Sequence, residues 1–257
     1  MLEWNAEQYS KFEKERTLPA VDLANSIHIN NPKKIIDIGC GIGNSTAVLR
    51  KKYPYAQIIG VDSSEDMLNT ARKNNPEIEF IRLDAGKELT SLSADFDIVF
   101  SNACIQWIPN HRDLLKSLMT LLNHNGVLAI QIPQQKKHPM HKVIKAVAES
   151  EKWKYKITDK RVFFFLSEEE YYDILSELSS DFRIWETTYY FDMPSHSSII
   201  EWYKGTGLRP YLEQLNDTDK NSFEYDVLQE TKMIYPLQSN NRIIFRFPRL
   251  FFTAVKF

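Results

Sequence analysis

The sequence predicts a doubly wound α/β fold with a mostly parallel, seven-stranded sheet and a helical lid inserted before the last strand. Apolar runs alternate with helical patterns between residues 33 and 133, as they do where helices join parallel strands. Gly39, Gly41 and Gly43 follow the first apolar run, which predicts a tight turn between a strand and a helix. Residues 192–247 precede the last strand. This stretch is too long for a hairpin and too patterned for a loop, so we expect it to form the lid.

The individual elements are predicted from the spacing of their apolar residues. Short apolar, β-branched or aromatic runs predict strands at 35–37, 57–61, 78–83, 96–100, 127–132, 182–191 and 250–257. Helical patterns lie at 46–52, 113–122, 140–148, 168–178, 197–203 and 217–233. Ser63 and Ser64 cap one further helix, and Gly126 is the residue expected to take a positive φ after helix 113–122.

Four successive strands end in polar residues. Asp37, Asp62, Asp84 and Asn102 each close or directly follow an apolar run. Ligands of open α/β sheets bind at the carboxyl ends of the strands, so these side chains are expected to share one site. An acid about twenty residues past the glycines can accept hydrogen bonds from ribose hydroxyls, which assigns that role to Asp62. Asp84 is then placed to meet an adenine amine.

The glycine spacing and the acid before it favour S-adenosylmethionine over NAD. A pyrophosphate turn reads G-x-G-x-x-G, whereas here the pattern is D-x-G-x-G-x-G. Asp37 would disfavour a pyrophosphate and suits a ligand that carries a cationic amino group. Taken singly, each feature has a simpler explanation: a tight turn, a helix cap at Asp62, a turn residue at Asp84. Their occurrence in order favours the cofactor site.

Composition agrees with a soluble enzyme, and the expected reduced thiols with no export signal favour the cytoplasm. The 257 residues are 43% hydrophobic and 26% charged, which suffices for one sizeable core. A net charge of −2 does not favour nucleic acid as a partner. Cys40 and Cys104 form no C-x-x-C pair, so neither a metal site nor a disulfide framework is expected. Residues 1–16 resemble neither a signal peptide nor a membrane span.

Beyond the glycine turn, the chain resembles the bacterial trans-aconitate 2-methyltransferases over nearly its whole length. The matching stretches include Trp4, Tyr9, Phe12 and Arg16 near the start, then 102–103, 106–109, 171–175, 188–190, 193–196, 206–210, 235–238 and 247–251. The glycine turn is shared by a whole superfamily, whereas the C-terminal stretches are specific. The resemblance implies a class I, Rossmann-like methyltransferase with S-adenosylmethionine as donor. It implies a small tricarboxylic acid as acceptor and a monomethyl ester as product.

Two sets of site residues are expected. For the cofactor they are Asp37, Gly39, Gly41, Gly43, Asn44, Asp62, Ser63, Met67, Asp84, Ala85, Asn102, Ala103, Trp107, Tyr9 and Arg16. For the acceptor they are His196, Trp202, Arg209, Tyr211 and Arg249, chosen because arginine pairs with carboxylates through two parallel bonds. Trp202 and its neighbour Tyr203 are expected to act as apolar walls.

The domain division follows from these assignments. Residues 1–30 are expected to form a helical segment that closes over the cofactor. Residues 31–191 and 248–257 form the cofactor-binding core, and 192–247 form the substrate lid. No catalytic base is expected, because an ordinary carboxyl group is already ionised at neutral pH.

Three functions remain open at this stage. The first is a carboxyl methyltransferase acting on a small polycarboxylic acid. The second is a methyltransferase of the same fold that acts on another small metabolite. The third is a cofactor-binding regulatory subunit without catalysis. Neither the exact acceptor nor the oligomeric state, a monomer included, can be read from the sequence.

Overall fold

The sheet has seven strands in the order β3-β2-β1-β4-β5-β7-β6. This computed structural model describes residues 12–158 and 163–257. The strands are β1 Lys34–Ile38, β2 Gln57–Asp62, β3 Glu79–Arg82, β4 Phe96–Asn102, β5 Leu122–Pro133, β6 Phe182–Met193 and β7 Ile243–Val255. Strands β1 to β5 pair in parallel, and β7 is antiparallel to both β5 and β6. The prediction of a doubly wound, mostly parallel seven-stranded sheet is confirmed.

Helices join the strands and form the lid. In chain order the α-helices of the described residues are α1 Glu13–Asn25, α2 Asn44–Lys52, α3 Glu65–Asn74, α4 His111–Thr120, α5 Pro139–Ala148, α6 Glu168–Leu178, α7 His196–Lys204, α8 Arg209–Leu212 and α9 Asp217–Ile234. Short 3₁₀ turns lie at Leu89–Ser91, Ile105–Trp107 and Gln135–Lys137. In the part of the chain described here, no helix is both long enough and apolar enough to cross a membrane.

Both faces of the sheet are covered. Helices α1 and α2 bury Leu23 and Leu49 against one face, beside Ile35 and Phe100 of the strands. Helices α4 and α6 cover the other face with their apolar sides. This two-sided burial explains why the central strands read as continuous apolar runs instead of alternating ones.

The lid has an apolar core of its own. Its buried residues come mainly from α7, α9 and the start of β7, and also from α5 and the turn that follows it, with α8 packed against them. Trp153 packs its ring edge-on against Phe223 of α9, with the centroids 5.2 Å apart, and its Nε1 donates a 2.7 Å hydrogen bond to Asp226. We call this unit the cap, formed by residues 138–158 and 193–247. From the sequence, residues 138–158 were expected to belong to the cofactor-binding core. We propose instead that they belong to the cap, and the rest of the domain division stays a prediction.

Several element boundaries differ from the sequence expectation. Strand β7 begins at Ile243 instead of residue 250, because Ile243 pairs with Met193 at the end of β6. Its first residues alternate between buried and exposed, a pattern that a search for an apolar run passes over. After helix α4 the positive φ falls on Asn125, at 64°, so the expectation for Gly126 was wrong. Asparagine tolerates this conformation better than most residues because its side chain can bond locally.

Candidate active site

A cavity of about 600 Å³ opens at the carboxyl ends of β1 to β4, beneath the cap. Its floor is the edge of the sheet and its roof is formed by the cap and by α1. The floor includes three of the four polar strand ends, Asp62, Asp84 and Asn102. For these three the geometry agrees with the expectation of a shared site, since consecutive parallel strands end at the same edge. The fourth, Asp37, does not line the cavity.

The glycine turn leaves room beside β1. Gly39, Gly41 and Gly43 have φ values of 72°, 55° and 91°, which side chains rarely adopt. A Cβ atom on Gly39 would lie 2.1 Å from Cys104 Sγ, whereas one on Gly41 would meet nothing within 4 Å. Gly41 therefore presents bare backbone to the cavity. Asn44, the first residue of α2, lines the cavity beside it.

Asp37 lies directly below this turn and is completely buried. Its Oδ2 accepts hydrogen bonds from the hydroxyls of Ser45, at 2.6 Å, and Thr46, at 2.7 Å. Its Oδ1 has no hydrogen-bond partner among the described residues. Burial raises the pKa of Asp37 to about 6, against the lowering effect of the two hydroxyls. A cationic group near Oδ1 would favour the ionised form.

Asp62 ends β2 at the rim of the cavity. Its Oδ2 accepts a 3.0 Å hydrogen bond from Gly41 N, and its Oδ1 accepts one of 2.9 Å from Ser64 N. Burial raises the pKa of this carboxyl group. Each oxygen keeps a lone pair after these bonds, so the pair of oxygens can accept from two vicinal hydroxyls. Ser63 and Met67 line the adjoining wall.

Asp84 and Asn102 extend the same row. Asp84 accepts from Gly86 N at 2.9 Å and lies 3.1 Å from Lys87 Nζ, with Ala85 beside it in the cavity wall. Asn102 Oδ1 is buried without a hydrogen-bond partner in the described part of the chain. Ala103, which follows it, has a φ of 55° and lines the cavity. Positive φ at a residue other than glycine or asparagine is uncommon and occurs often at functional sites.

These residues fit S-adenosylmethionine. The acceptor-only Asp62 matches ribose hydroxyls, and the open backbone at Gly41 admits a ligand. The buried Oδ1 of Asn102, a residue that lines the cavity, has no hydrogen-bond donor among the described residues. A buried acceptor without a partner is costly, and a ligand that donates hydrogen bonds would satisfy it.

The cap end of the cavity is cationic and aromatic. Arg16 from α1 and Arg249 from β7 both line it, and both side chains are largely buried. The Arg249 guanidinium lies 3.7 Å above the ring of Phe247, and that of Arg16 lies 4.9 Å above the ring of Trp202. Trp107 lies on the same wall against Phe163, with ring centroids 4.5 Å apart. Two guanidinium groups in an aromatic chamber suit an anionic ligand.

Two histidines complete this end, and neither was predicted. His138 and His141 line the cavity at the start of α5. Burial, together with the charge of Arg249, holds the pKa of His138 well below its usual range and lowers that of His141 to about 4. Both rings are therefore neutral at physiological pH. Their i, i+3 spacing, which places both on one side of a helix turn, was the signal in the sequence.

Five of the predicted residues that the structure describes do not line the cavity: Asp37, which lies buried beneath the glycine turn, and four others. Gly43 packs against Ala71 of α3 and Asn75, the residue after that helix, and does not line the cavity. His196 Nε2 is bonded to the carbonyl of Tyr235 at 2.7 Å. Arg209 pairs with Glu213, one turn along, at 2.6 Å, and the ring of Tyr211 stacks on Phe223 inside the cap. The acceptor roles expected for His196, Arg209 and Tyr211 are thus not supported, because their side chains are used to build the cap. Tyr9 lies outside the described residues.

Comparison with known proteins agrees with this geometry. A family model described as a methyltransferase domain matches residues 29–178. The trans-aconitate 2-methyltransferases of Escherichia coli O157:H7 and of E. coli strain K12 / DH10B are each 40% identical to this chain over 254 residues, which is 99% of this chain and 98% of theirs.

Solved structures show the same fold at low identity. Haemonchus contortus phosphoethanolamine N-methyltransferase 2, in complex with S-adenosyl-L-methionine, has a TM-score of 0.60 at 18% identity, covering 97% of this chain and 56% of its own. The YcgJ protein of Bacillus subtilis has a TM-score of 0.58 at 15% identity, covering 93% of this chain and 98% of its own.

The strand order, the glycine turn and the cavity define a class I methyltransferase whose cofactor is S-adenosylmethionine. Within that class, the chain belongs to the trans-aconitate 2-methyltransferase family, which it matches along almost its entire length.

Proposed function

We propose that this enzyme transfers a methyl group to a carboxylate of a small polycarboxylic acid, with trans-aconitate as the favoured acceptor. The observation that carries the proposal is the position of two buried arginines, Arg16 and Arg249, in the same cavity as Asp62. A polycarboxylate can be taken out of water only where cations and hydrogen-bond donors replace its hydration. Trans-aconitate is the favoured acid because the chain belongs to the trans-aconitate 2-methyltransferase family.

The cofactor roles follow from the floor of the cavity. Asp62 holds the ribose hydroxyls, and Asp84 with Ala85 lies where the adenine amine is expected. Asp37, Asn44 and the backbone at Gly39 and Gly41 hold the amino-acid end. Asn102, Ala103 and Trp107 form the wall between the two ligands. Arg16 was expected at the cofactor; we propose instead that it serves the acceptor end, because its guanidinium lies over the ring of Trp202 in the cap.

The main task of the protein in this reaction is to position the donor and the acceptor. When bound, S-adenosylmethionine supplies an electrophilic methyl group on a sulfonium that leaves as a neutral thioether. Arg16 and Arg249 hold the acceptor so that one ionised carboxylate oxygen faces that methyl group. The cap and α1 exclude water, which strengthens these contacts and favours a reaction in which opposite charges are consumed. No residue has to remove a proton, since the carboxylate is already ionised.

A screen of acceptors tests the proposal. Purified enzyme is incubated with donor carrying a labelled methyl group and with trans-aconitate, other di- and tricarboxylic acids, an amine and a phenol. We expect label in trans-aconitate as a base-labile monomethyl ester. Asp62→Ala is the background control because it should lose the donor. Label in the amine or the phenol, with none in the acids, would refute the proposal and require a general base.

The cytoplasm is the proposed location. Cys40 and Cys104 are both free thiols in the structure, which is consistent with a reducing compartment.

A further inference from the structure

Tyr203 occupies an unusual position in the cap. It lies on α7, is 3% exposed, and its side chain lines the cap end of the cavity. Its ring lies edge-on to those of His138 and His141, with centroids 5.7 Å and 5.6 Å away. A Cβ atom on Gly207 would lie 2.7 Å from Tyr203 Cδ1, so glycine at 207 leaves space for the ring. The sequence suggested only an apolar wall here.

The hydroxyl of Tyr203 is bonded to His138. Its oxygen lies 3.0 Å from Nε2 and 3.2 Å from Nδ1 of that ring. His138 also caps α5, because its Nδ1 accepts a 3.3 Å hydrogen bond from Met140 N. A neutral imidazole has one donor nitrogen and one acceptor nitrogen. Since Nδ1 accepts from Met140 N, Nε2 carries the hydrogen and donates a hydrogen bond to the Tyr203 oxygen.

This arrangement leaves the hydroxyl proton of Tyr203 available. The phenol stays protonated, because burial raises its pKa well above the usual range and outweighs the opposite effect of Arg249 and Arg16. The charges of Arg249 on β7 and Arg16 on α1 lower the pKa of Tyr203, and the phenol of Tyr235 raises it. The rings of His138 and His141, at the start of α5, contact that of Tyr203 edge-on. Tyr203 is therefore a neutral donor at the edge of a cavity that both arginines also line.

We propose that Tyr203 is a specificity-determining residue, whose hydroxyl donates a hydrogen bond to a carboxylate of the acceptor that Arg249 and Arg16 neutralise. His138 is a positioning residue: it accepts from the helix and donates to Tyr203, which turns the hydroxyl proton towards the acceptor. This inference rests on the proposed function. The Tyr203 hydroxyl would distinguish an acid that bears the bound carboxylate from an acid that lacks it. A site built to donate a hydrogen bond discriminates strongly against analogues that cannot accept it.

Tyr203→Phe tests the proposal, with Tyr235→Phe as the matched control. Tyr235 is also buried in the cap, but it does not line the cavity. Binding of trans-aconitate to the complex with S-adenosylhomocysteine is measured by calorimetry, alongside KM and kcat. We expect Tyr203→Phe to weaken acid binding by about tenfold to a hundredfold, the usual value of a hydrogen bond to a charged group. In the kinetics the loss should appear mainly as a higher KM for the acid. Affinity for S-adenosylhomocysteine should not change, and Tyr235→Phe should bind the acid as the wild type does.

A double-mutant cycle tests the positioning role of His138. His138→Leu should weaken acid binding about tenfold when Tyr203 is present and hardly at all in the Tyr203→Phe background. An equal loss in both backgrounds would show that His138 only supports the cap, and would refute its role. Wild-type affinity in Tyr203→Phe, in an enzyme that binds trans-aconitate, would overturn this inference alone. Absence of polycarboxylate binding by the wild type would overturn the proposed function with it.

Discussion

Arg16 on α1 donates a 2.7 Å hydrogen bond from Nη2 to the backbone carbonyl of Trp202 on α7. The same guanidinium lies 4.9 Å above the Trp202 ring. The two residues are 186 positions apart in the chain and meet over the cavity. Helix α1 and the cap are thus joined by a charged side chain that also lines the cavity. If Arg16 binds the acceptor as proposed, these contacts would couple closure of α1 to acceptor binding.

Removal of Arg16 should therefore damage catalysis more than folding. Arg16→Ala is expected to reduce kcat/KM for the acceptor by about 2–5 kcal/mol, as for a desolvated charge pair. Arg16→Lys should rescue poorly, because an ammonium group cannot reproduce both the fork and the stacking on tryptophan. Steady-state kinetics with saturating donor measure the loss. Turnover of Arg16→Ala at the wild-type rate would mean that Arg16 contributes neither to closure nor to acceptor binding.

Arg249 and Arg209 provide a matched pair of arginines. Arg249 lines the cavity and Arg209 pairs with Glu213 inside the cap. Arg249→Ala should cost about 2–5 kcal/mol in kcat/KM for the acceptor, because an acid is then left partly unpaired in a desolvated site. Arg209→Ala should leave kcat/KM within about twofold of the wild type. Steady-state kinetics with trans-aconitate measure both effects. A comparable loss in the two variants would restore the prediction made from the sequence, in which both arginines bind the acceptor.

Donor affinity should depend on pH through Asp37. Its folded pKa is raised to about 6, so it is ionised above that pH and protonated below it. A cationic amino group binds the ionised form, so affinity for S-adenosylhomocysteine should fall as pH drops through 6, by up to about tenfold per unit. The amino group itself stays protonated from pH 5 to 7, since its ordinary pKa is near 8. Calorimetry across this window measures the slope.

The control is Asp37→Asn, which cannot titrate. Asp62, whose pKa burial also raises, remains in both proteins and contributes equally to both curves. The variant should bind more weakly at pH 7 and show a flatter profile. Parallel curves for the two proteins would mean that Asp37 does not face the amino group.

Replacing Gly39 by alanine should mainly reduce the stability of the fold, whereas replacing Gly41 should mainly reduce donor affinity. Gly39→Ala places a Cβ 2.1 Å from Cys104 Sγ, so it should destabilise the fold by several kcal/mol through overpacking and the positive φ. Gly41→Ala meets no protein atom and should cost only the strain of its positive φ, about 1–2 kcal/mol. Its methyl group enters the cavity, so donor affinity should fall at least tenfold. Thermal denaturation and calorimetry separate the effects. A well-folded Gly41→Ala with unchanged affinity would remove the turn from the site.

The sequence by itself determined the sheet and its cofactor edge. Strand, turn and helix are encoded by local periodicity, and parallel strands joined by helices must end at one edge, so the nearness of Asp62, Asp84 and Asn102 followed from order alone. The glycine turn is likewise encoded by a short local pattern. Its open face was predictable because only glycine tolerates positive φ without strain.

Only the tertiary structure decided the acceptor end. Arg249, Arg16 and the histidines come from three separate segments, and their convergence depends on how the cap packs over the sheet. Whether a cap residue points inwards or into the cap's own core is set by that packing and not by residue type. Arg209 and Tyr211 therefore looked as suitable as Arg249 in the sequence. The donor role proposed for Tyr203 depends on its contact with His138, 65 positions away, which no local pattern could reveal.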